Sequence, residues 1–155
     1  MTRAIAMYLP QYHPINLNDR VWGKGFTEWT NVTKAKPLFE GHYQPHYPAD
    51  LGYYDLRVPA VREEQARMAA DYSIEGFCYY HYWFGSAGYE LTRPLKGILN
   101  LKKPDFPFCL CWANQTWTGI WHGAEDKILK KQDYPETKIK IFIDSLLEIF
   151  EDKRY

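Results

Sequence analysis

Three short stretches carry the side chains that could do chemistry, and they share one form: Tyr8-Leu-Pro-Gln-Tyr-His13, Tyr80-His-Tyr-Trp83 and Trp112-Ala-Asn-Gln-Thr-Trp117. Each mixes flat rings with side-chain amides or imidazoles. Rings stack on the apolar face of a pyranose, while amides and imidazoles exchange hydrogen bonds with its hydroxyls. The set suits a phosphate poorly, because Arg and Lys are nearly absent from these segments and phosphate sites are built from them. The candidate binding residues here are Tyr8, Gln11, His13, Tyr80, His81, Trp83, Trp112, Asn114 and Trp117. Core packing and loop capping compete for any one of them; the recurrence at three places favours a ligand.

The stretch 10–54 adds Trp22-Gly-Lys-Gly-Phe-Thr-Glu-Trp29 and Gly41-His-Tyr-Gln-Pro-His46, and with them Trp22, Trp29, His42 and Gln44 as further binding candidates. Glu28 is the carboxylate of the first segment. It could orient a sugar hydroxyl, act as an acid or base if the rings desolvate it, or simply accept from loop N–H groups. No metal or cofactor is expected. His42 and His46 have helical ligand spacing, but Pro45 stands between them. Cys109 and Cys111 share a strand face without a second ligand pair, and Gly23-Lys-Gly25 lacks the rest of a nucleotide-binding fingerprint.

The elements that must position these residues are legible from apolar patterning. Ala4 to Leu9 is an apolar run stopped by Pro10, the form of a strand buried on both faces. Residues 10–54 read as a long irregular loop, too aromatic to be disordered. Pro59 opens a helix with Val61, Gln65, Met68 and Tyr72 on one face, ending near Tyr72–Ser73. Gly76 to Phe84 is a second strand, closed by Gly85-Ser-Ala-Gly88. Pro94 begins a short helix that stops before Pro104, Phe106 to Trp112 is a third strand, and Pro135 opens a third helix. Ile139, Phe142, Ile143, Leu146 and Phe150 make the apolar stripe of that helix. From Glu125 onward 7 basic and 8 acidic residues balance, which reads as a solvated helix face. Strand and helix alternate, so the fold class is α/β with a parallel sheet. The sheet is either open and doubly wound or the first three units of a (β/α)8 barrel, which takes about 250 residues. In both, ligands bind at the carboxyl ends of the strands, where the three segments fall.

Composition narrows the function classes. The chain has 155 residues, 19 basic and 19 acidic side chains, and 46% apolar residues, enough for one domain with a real core. Zero net charge argues against nucleic acid as a partner and against a polybasic membrane surface. No apolar run reaches the roughly 20 residues of a membrane span. Met1 to Pro10 lacks a signal core and leads straight into a strand, and three cysteines make no disulfide framework, so the expected location is cytoplasmic. Of 27 aromatics, 23 lie before residue 125, more than packing requires.

The segments 8–14, 22–32 (Trp-Gly-Lys-Gly-Phe-Thr-Glu-Trp-Thr-Asn-Val), 41–46, 76–84 (Gly-Phe-Cys-Tyr-Tyr-His-Tyr-Trp-Phe) and 109–114 (Cys-Leu-Cys-Trp-Ala-Asn) resemble the WbsX-type glycosyltransferase family. That family is itself similar to glycoside hydrolase family 99. The resemblance covers nearly the whole chain. It implies a (β/α)8 barrel acting on glycans or glycolipids, from bacterial O-antigen and surface-polysaccharide gene clusters, with other polysaccharide-assembly enzymes as partners. The hydrolase relatives cleave α-mannosidic linkages with retention, using two carboxylates near the C-terminal strands and the substrate 2-hydroxyl. The Asn-Glu-Trp-x-Glu-Gly stretch carrying that chemistry does not occur here, and Gln115 stands where relatives often carry Glu. Binding roles therefore transfer and a catalytic pair does not. The expectation is the N-terminal part of a single barrel domain, inactive alone. The alternatives are a non-catalytic carbohydrate-binding module and an interaction protein with an aromatic interface.

Overall fold

A computed structural model describes residues 3–120 and 123–155, so Met1, Thr2, Trp121 and His122 lie outside the described residues. The strands are β1 (Ile5–Tyr8), β2 (Gly76–Trp83), β3 (Tyr89–Glu90), β4 (Phe108–Trp112), β5 (Trp117–Gly119) and β6 (Ala124–Lys130). The helices are α1 (Asn16–Trp22), α2 (Glu28–Lys34), α3 (Pro59–Asp71), α4 (Arg93–Leu101) and α5 (Glu136–Phe150). β2 is central: β1 and β4 pair with it in parallel, with Met7 opposite Cys78 and Cys78 opposite Cys109. The short β3 returns antiparallel on the end of β2, and β5 and β6 form a separate antiparallel hairpin. The expected parallel α/β sheet is present, with α3 and α4 as its crossovers.

Successive strand side chains point to opposite faces, and here the two faces have different fates. Tyr8, Phe77, Tyr79 and Phe108 join Leu56, Ala66, Leu95, Ile98 and Ile149 in the core beneath α3, α4 and α5. The other face carries Ile5, Met7, Cys78, Tyr80, Cys109 and Cys111. Ile5 and Met7 stay 51% and 53% exposed. β1 is thus covered on one face, against the sequence expectation of two: its apolar run says only that neither face is polar.

Four further expectations need correction. The supposed loop 10–54 holds α1 and α2. Both are seven-residue helices without a buried residue, too short for an apolar stripe to announce them. Tyr72, assigned to the buried face of α3, is 81% exposed, while Arg62 and Ala66 turn inward. Arg62 donates Nη1–H to the Leu56 carbonyl at 2.6 Å, while its buried Nε has no partner among the described residues. On α5, Phe142 and Ile149 are buried while Ile143 and Phe150 are exposed, so the stripe is rotated. The charged segment Ala124–Lys130 is a hairpin strand and not a helix face.

Two local devices fix the chain around the sheet. Gly85, at φ 67°, turns the chain after β2, and a Cβ there would collide with Asp133. Asp133 Oδ1 instead accepts from the Ser86 N–H at 2.7 Å. At the opposite end, the buried Asp152 carboxylate pairs with Arg154 (2.7 Å) and Lys102 (3.0 Å). Arg154 also donates to the carbonyls of Pro104 and Ile98. This clamp ties the end of α5 to α4 and the approach to β4.

Candidate functional site

The site forms where the open face meets the carboxyl ends of β1, β2 and β4. Tyr80 and Tyr82 point there, because they share parity with Cys78. Tyr82 is buried with Phe84 and Leu91, against the half-buried Ile15, Ala113 and Trp117. The Trp117 ring stands edge-on to Tyr82 at 5.1 Å and to Phe84 at 5.2 Å. Lys130 of β6 pairs with Glu90 of β3 at 2.6 Å, which anchors the β5–β6 hairpin beside the same cluster. Trp22 of α1 lies under Lys127 of that hairpin, 5.8 Å from Nζ to ring centre. The helices inside the long loop and the hairpin therefore wall the strand ends.

Polar groups converge in this enclosure. Gln11, from the segment after β1, donates Nε2–H to the Tyr82 hydroxyl at 3.0 Å. Glu28 opens α2, whose start Thr27 and Thr30 fix by reciprocal capping bonds. Burial raises the Tyr12 and Tyr82 phenols above their usual range, and the charge of the Glu28 carboxylate adds to both. Asn31 donates to Glu28 Oε2 at 3.4 Å. Asn114 is exposed just beyond β4; its carbonyl accepts from the Tyr134 hydroxyl, which leaves its side chain without a hydrogen bond among the described residues.

Thus Gln11, Glu28, Tyr80, Asn114 and Trp117 gather at this rim, and Trp22 borders it. The other sequence-selected residues lie elsewhere. Tyr8 is in the core, its hydroxyl donating to Gln65 of α3 at 2.7 Å, and burial pushes that phenol up strongly. His81, Trp83 and Trp112 share the helix-facing parity. The Trp83 ring lies parallel to Phe142 of α5 at 4.3 Å, His81 stacks on the same ring at 5.9 Å, and Trp112 donates its indole N–H to the Trp83 carbonyl. Burial lowers His81 to about 4. His13 is buried beside Asp55, and burial lowers it too. Trp29 packs among Tyr12, Tyr53 and Tyr54 and donates to the Tyr54 carbonyl at 2.8 Å. His42 is held within its own loop, accepting from the Leu38 N–H and stacked on Phe39; Gln44 begins the cis peptide to Pro45.

Tyr82 is the rim residue that the sequence reading passed over. A signal existed for Tyr82: in a strand, Tyr80 and Tyr82 must share a face that His81 and Trp83 do not. The three cysteines line the open face below the rim, where burial and its neighbours Cys109 and Cys111 raise the Cys78 thiol to about 11.

This is an α/β chain whose polar and aromatic side chains meet at the carboxyl ends of parallel strands. The family model described as "Glycosyltransferase WbsX" matches residues 4–155, and the chain belongs to that family. Two relatives, each named "Uncharacterized protein WxcX" and from Xanthomonas campestris pv. campestris strains B100 and ATCC 33913, are 46% identical over 152 residues. The match takes in 97% of this chain and 22% of theirs, so the chain spans about a fifth of those relatives. A 3-hydroxyacyl-[acyl-carrier-protein] dehydratase FabZ from Nitrosospira multiformis is 44% identical over 52 residues, 31% of this chain. No solved structure matches the chain. Among the described residues, no helix is long and apolar enough to cross a membrane.

Proposed function

We propose that this chain forms part of the glycan-binding cleft of a carbohydrate-active enzyme that makes or breaks glycosidic bonds in bacterial surface-polysaccharide assembly. The single observation that carries the reading is the gathering of Gln11, Tyr82, Glu28, Asn114 and Trp117 at the strand ends. Amides, phenols and a carboxylate recognise hydroxyls, and an indole edge gives a sugar an apolar wall. Membership of a glycosyltransferase family supports the same substrate class. The parallel strands are, in this proposal, the opening units of a (β/α)8 barrel. Uncovered apolar side chains on the inner face, the free edges of β1 and β4, and the greater length of the relatives support it.

A second reading, a carbohydrate-binding module, is favoured by one observation. Glu28 is the rim carboxylate that carries no ion pair among the described residues, and Gln115 follows Asn114. Glycoside cleavage ordinarily takes two carboxylates. One experiment separates the readings: incubation of the natural-length protein with oligosaccharides, with and without nucleotide sugars, followed by mass spectrometry of the products. Saturable binding with a glycan lengthened or shortened is the expected result. Binding without turnover moves the assignment to a module, and no binding to any glycan overturns both.

A further inference from the structure

We propose that Cys78 and Cys109 form a reversible oxidation site, a thiol pair that closes into a disulfide between β2 and β4 when hydrogen peroxide reaches the open face of the sheet. The inference does not rest on the glycan reading. β2 and β4 run parallel with Cys78 directly opposite Cys109, so the two side chains leave the sheet side by side on one face. Neighbouring strands lie about 4.8 Å apart, within the about 4.4–6.8 Å that a disulfide spans between Cα atoms. Both thiols are free and half-buried, on the face that carries the exposed Ile5 and Met7. Met7 stands opposite Cys78 on its other side, and Cys111 follows two residues after Cys109, opposite Tyr80. Four sulfurs thus share this face, but only Cys78 and Cys109 bring two thiols to directly paired positions.

The roles of the two thiols differ. Burial, with Cys109 and Cys111 beside it, raises the Cys78 thiol to about 11, so Cys78 keeps its proton and Cys109 is the attacking sulfur. The Cys109 thiolate bonds one peroxide oxygen and the O–O bond breaks. Sulfenic acid forms, and the departing hydroxide takes up the proton that Cys109 released, giving one water. The Cys78 sulfur then attacks the Cys109 sulfur, the S–O bond breaks and the disulfide forms. The Cys78 proton leaves with that oxygen as a second water. Two thiols give up two electrons and two protons, and one peroxide is reduced to two waters. Directly opposed side chains stand about 4.8 Å apart, wider than the about 3.8 Å between the Cβ atoms of a relaxed disulfide, so the bond closes under tension and reopens readily to a small thiol. It would lie one step beneath the Tyr80–Cys111 pair, under the rim.

The test exposes the natural-length protein to hydrogen peroxide, blocks the remaining thiols with N-ethylmaleimide, and maps the unreduced peptides by mass spectrometry. The expected product is the Cys78 peptide joined to Cys109, lighter by two hydrogens than the separate peptides, with N-ethylmaleimide on Cys111. Dithiothreitol should return both thiols. In Cys78→Ser the cross-link is lost and dimedone labels Cys109 as its sulfenic acid, whereas in Cys111→Ser the cross-link remains. Thermal melts matching the parent show that the variants fold, and the parent map decides the matter where one does not. A cross-link from Cys78 to Cys111 overturns the proposal. So does oxidation confined to Met7 as its sulfoxide, or a parent whose Cys78 and Cys109 both stay fully alkylated after peroxide.

Discussion

The two faces of the parallel sheet are built from the same words of sequence and do opposite work. In Tyr80-His81-Tyr82-Trp83, the first and third residues point to the open face and the second and fourth pack beneath the helices. On the helix side, Trp83 lies parallel on Phe142 and His81 is buried against the same ring. On the open side, Tyr82 keeps a phenol proton to offer and Trp117 stands upright beside it. Residue type does not tell which aromatics pack beneath the helices and which face the open side; strand parity does. A histidine or tryptophan at a strand end invites a functional reading, yet here the plainer tyrosine is better placed.

The comparison breaks most sharply at the helix side. Trp83→Ala is expected to destabilise the fold by about 4 kcal/mol, through lost burial and a cavity under Phe142; urea unfolding measures it. Arg154→Ala leaves Asp152 buried without its main partner and should cost about 3 kcal/mol in the same assay. Acidification probes the same side. Burial lowers His81 from 6.5 to about 4, so the unfolded chain binds that proton first as pH falls. Stability is full above about pH 6.5 and declines toward pH 4, by about 3 kcal/mol from this group. Asp152 adds its loss only at lower pH, because the Arg154 pair holds its carboxyl well below the usual range. A melting series across pH 4–7 should show the upper decline, and His81→Phe should flatten it. A decline unchanged in that variant would assign the loss to other groups, His13 first.

The open side gives the smallest stability effects and the larger binding ones. Tyr80→Phe is expected to cost under about 1 kcal/mol in folding, since the ring and its contact with Tyr82 remain. Asn114→Ala, on an exposed side chain, should leave the melt unchanged and weaken glycan binding about fivefold. Met7→Asp sharpens the barrel proposal. It should be tolerated where Met7 stays exposed, as in this structure, and should prevent folding wherever that face closes around a barrel interior.

Much of this was legible in advance, and the rest was hidden for physical reasons. The three parallel strands and the helices opened by Pro59, Pro94 and Pro135 announce themselves through apolar runs and proline punctuation. The site at the strand ends follows from that topology. α1 and α2 are too short to carry periodicity, although Thr27 and Thr30 held a capping signal. The charged β6 survives as a strand because it pairs with β5 and docks through Lys130 and Glu90, a tertiary effect that local composition does not carry. Which aromatics face the ligand side follows from register, since each strand reverses its facing at every residue.

The most direct test of the division between the faces is the indole N–H spectrum of the isotope-labelled natural-length protein during a glycan titration. Trp117 stands at the proposed rim, while Trp83 and Trp112 lie under α5, the latter with its N–H held by the Trp83 carbonyl. The account predicts that the Trp117 resonance shifts with saturation while those of Trp83 and Trp112 stay in place. Saturating shifts at Trp83 and Trp112 with Trp117 unmoved would contradict it.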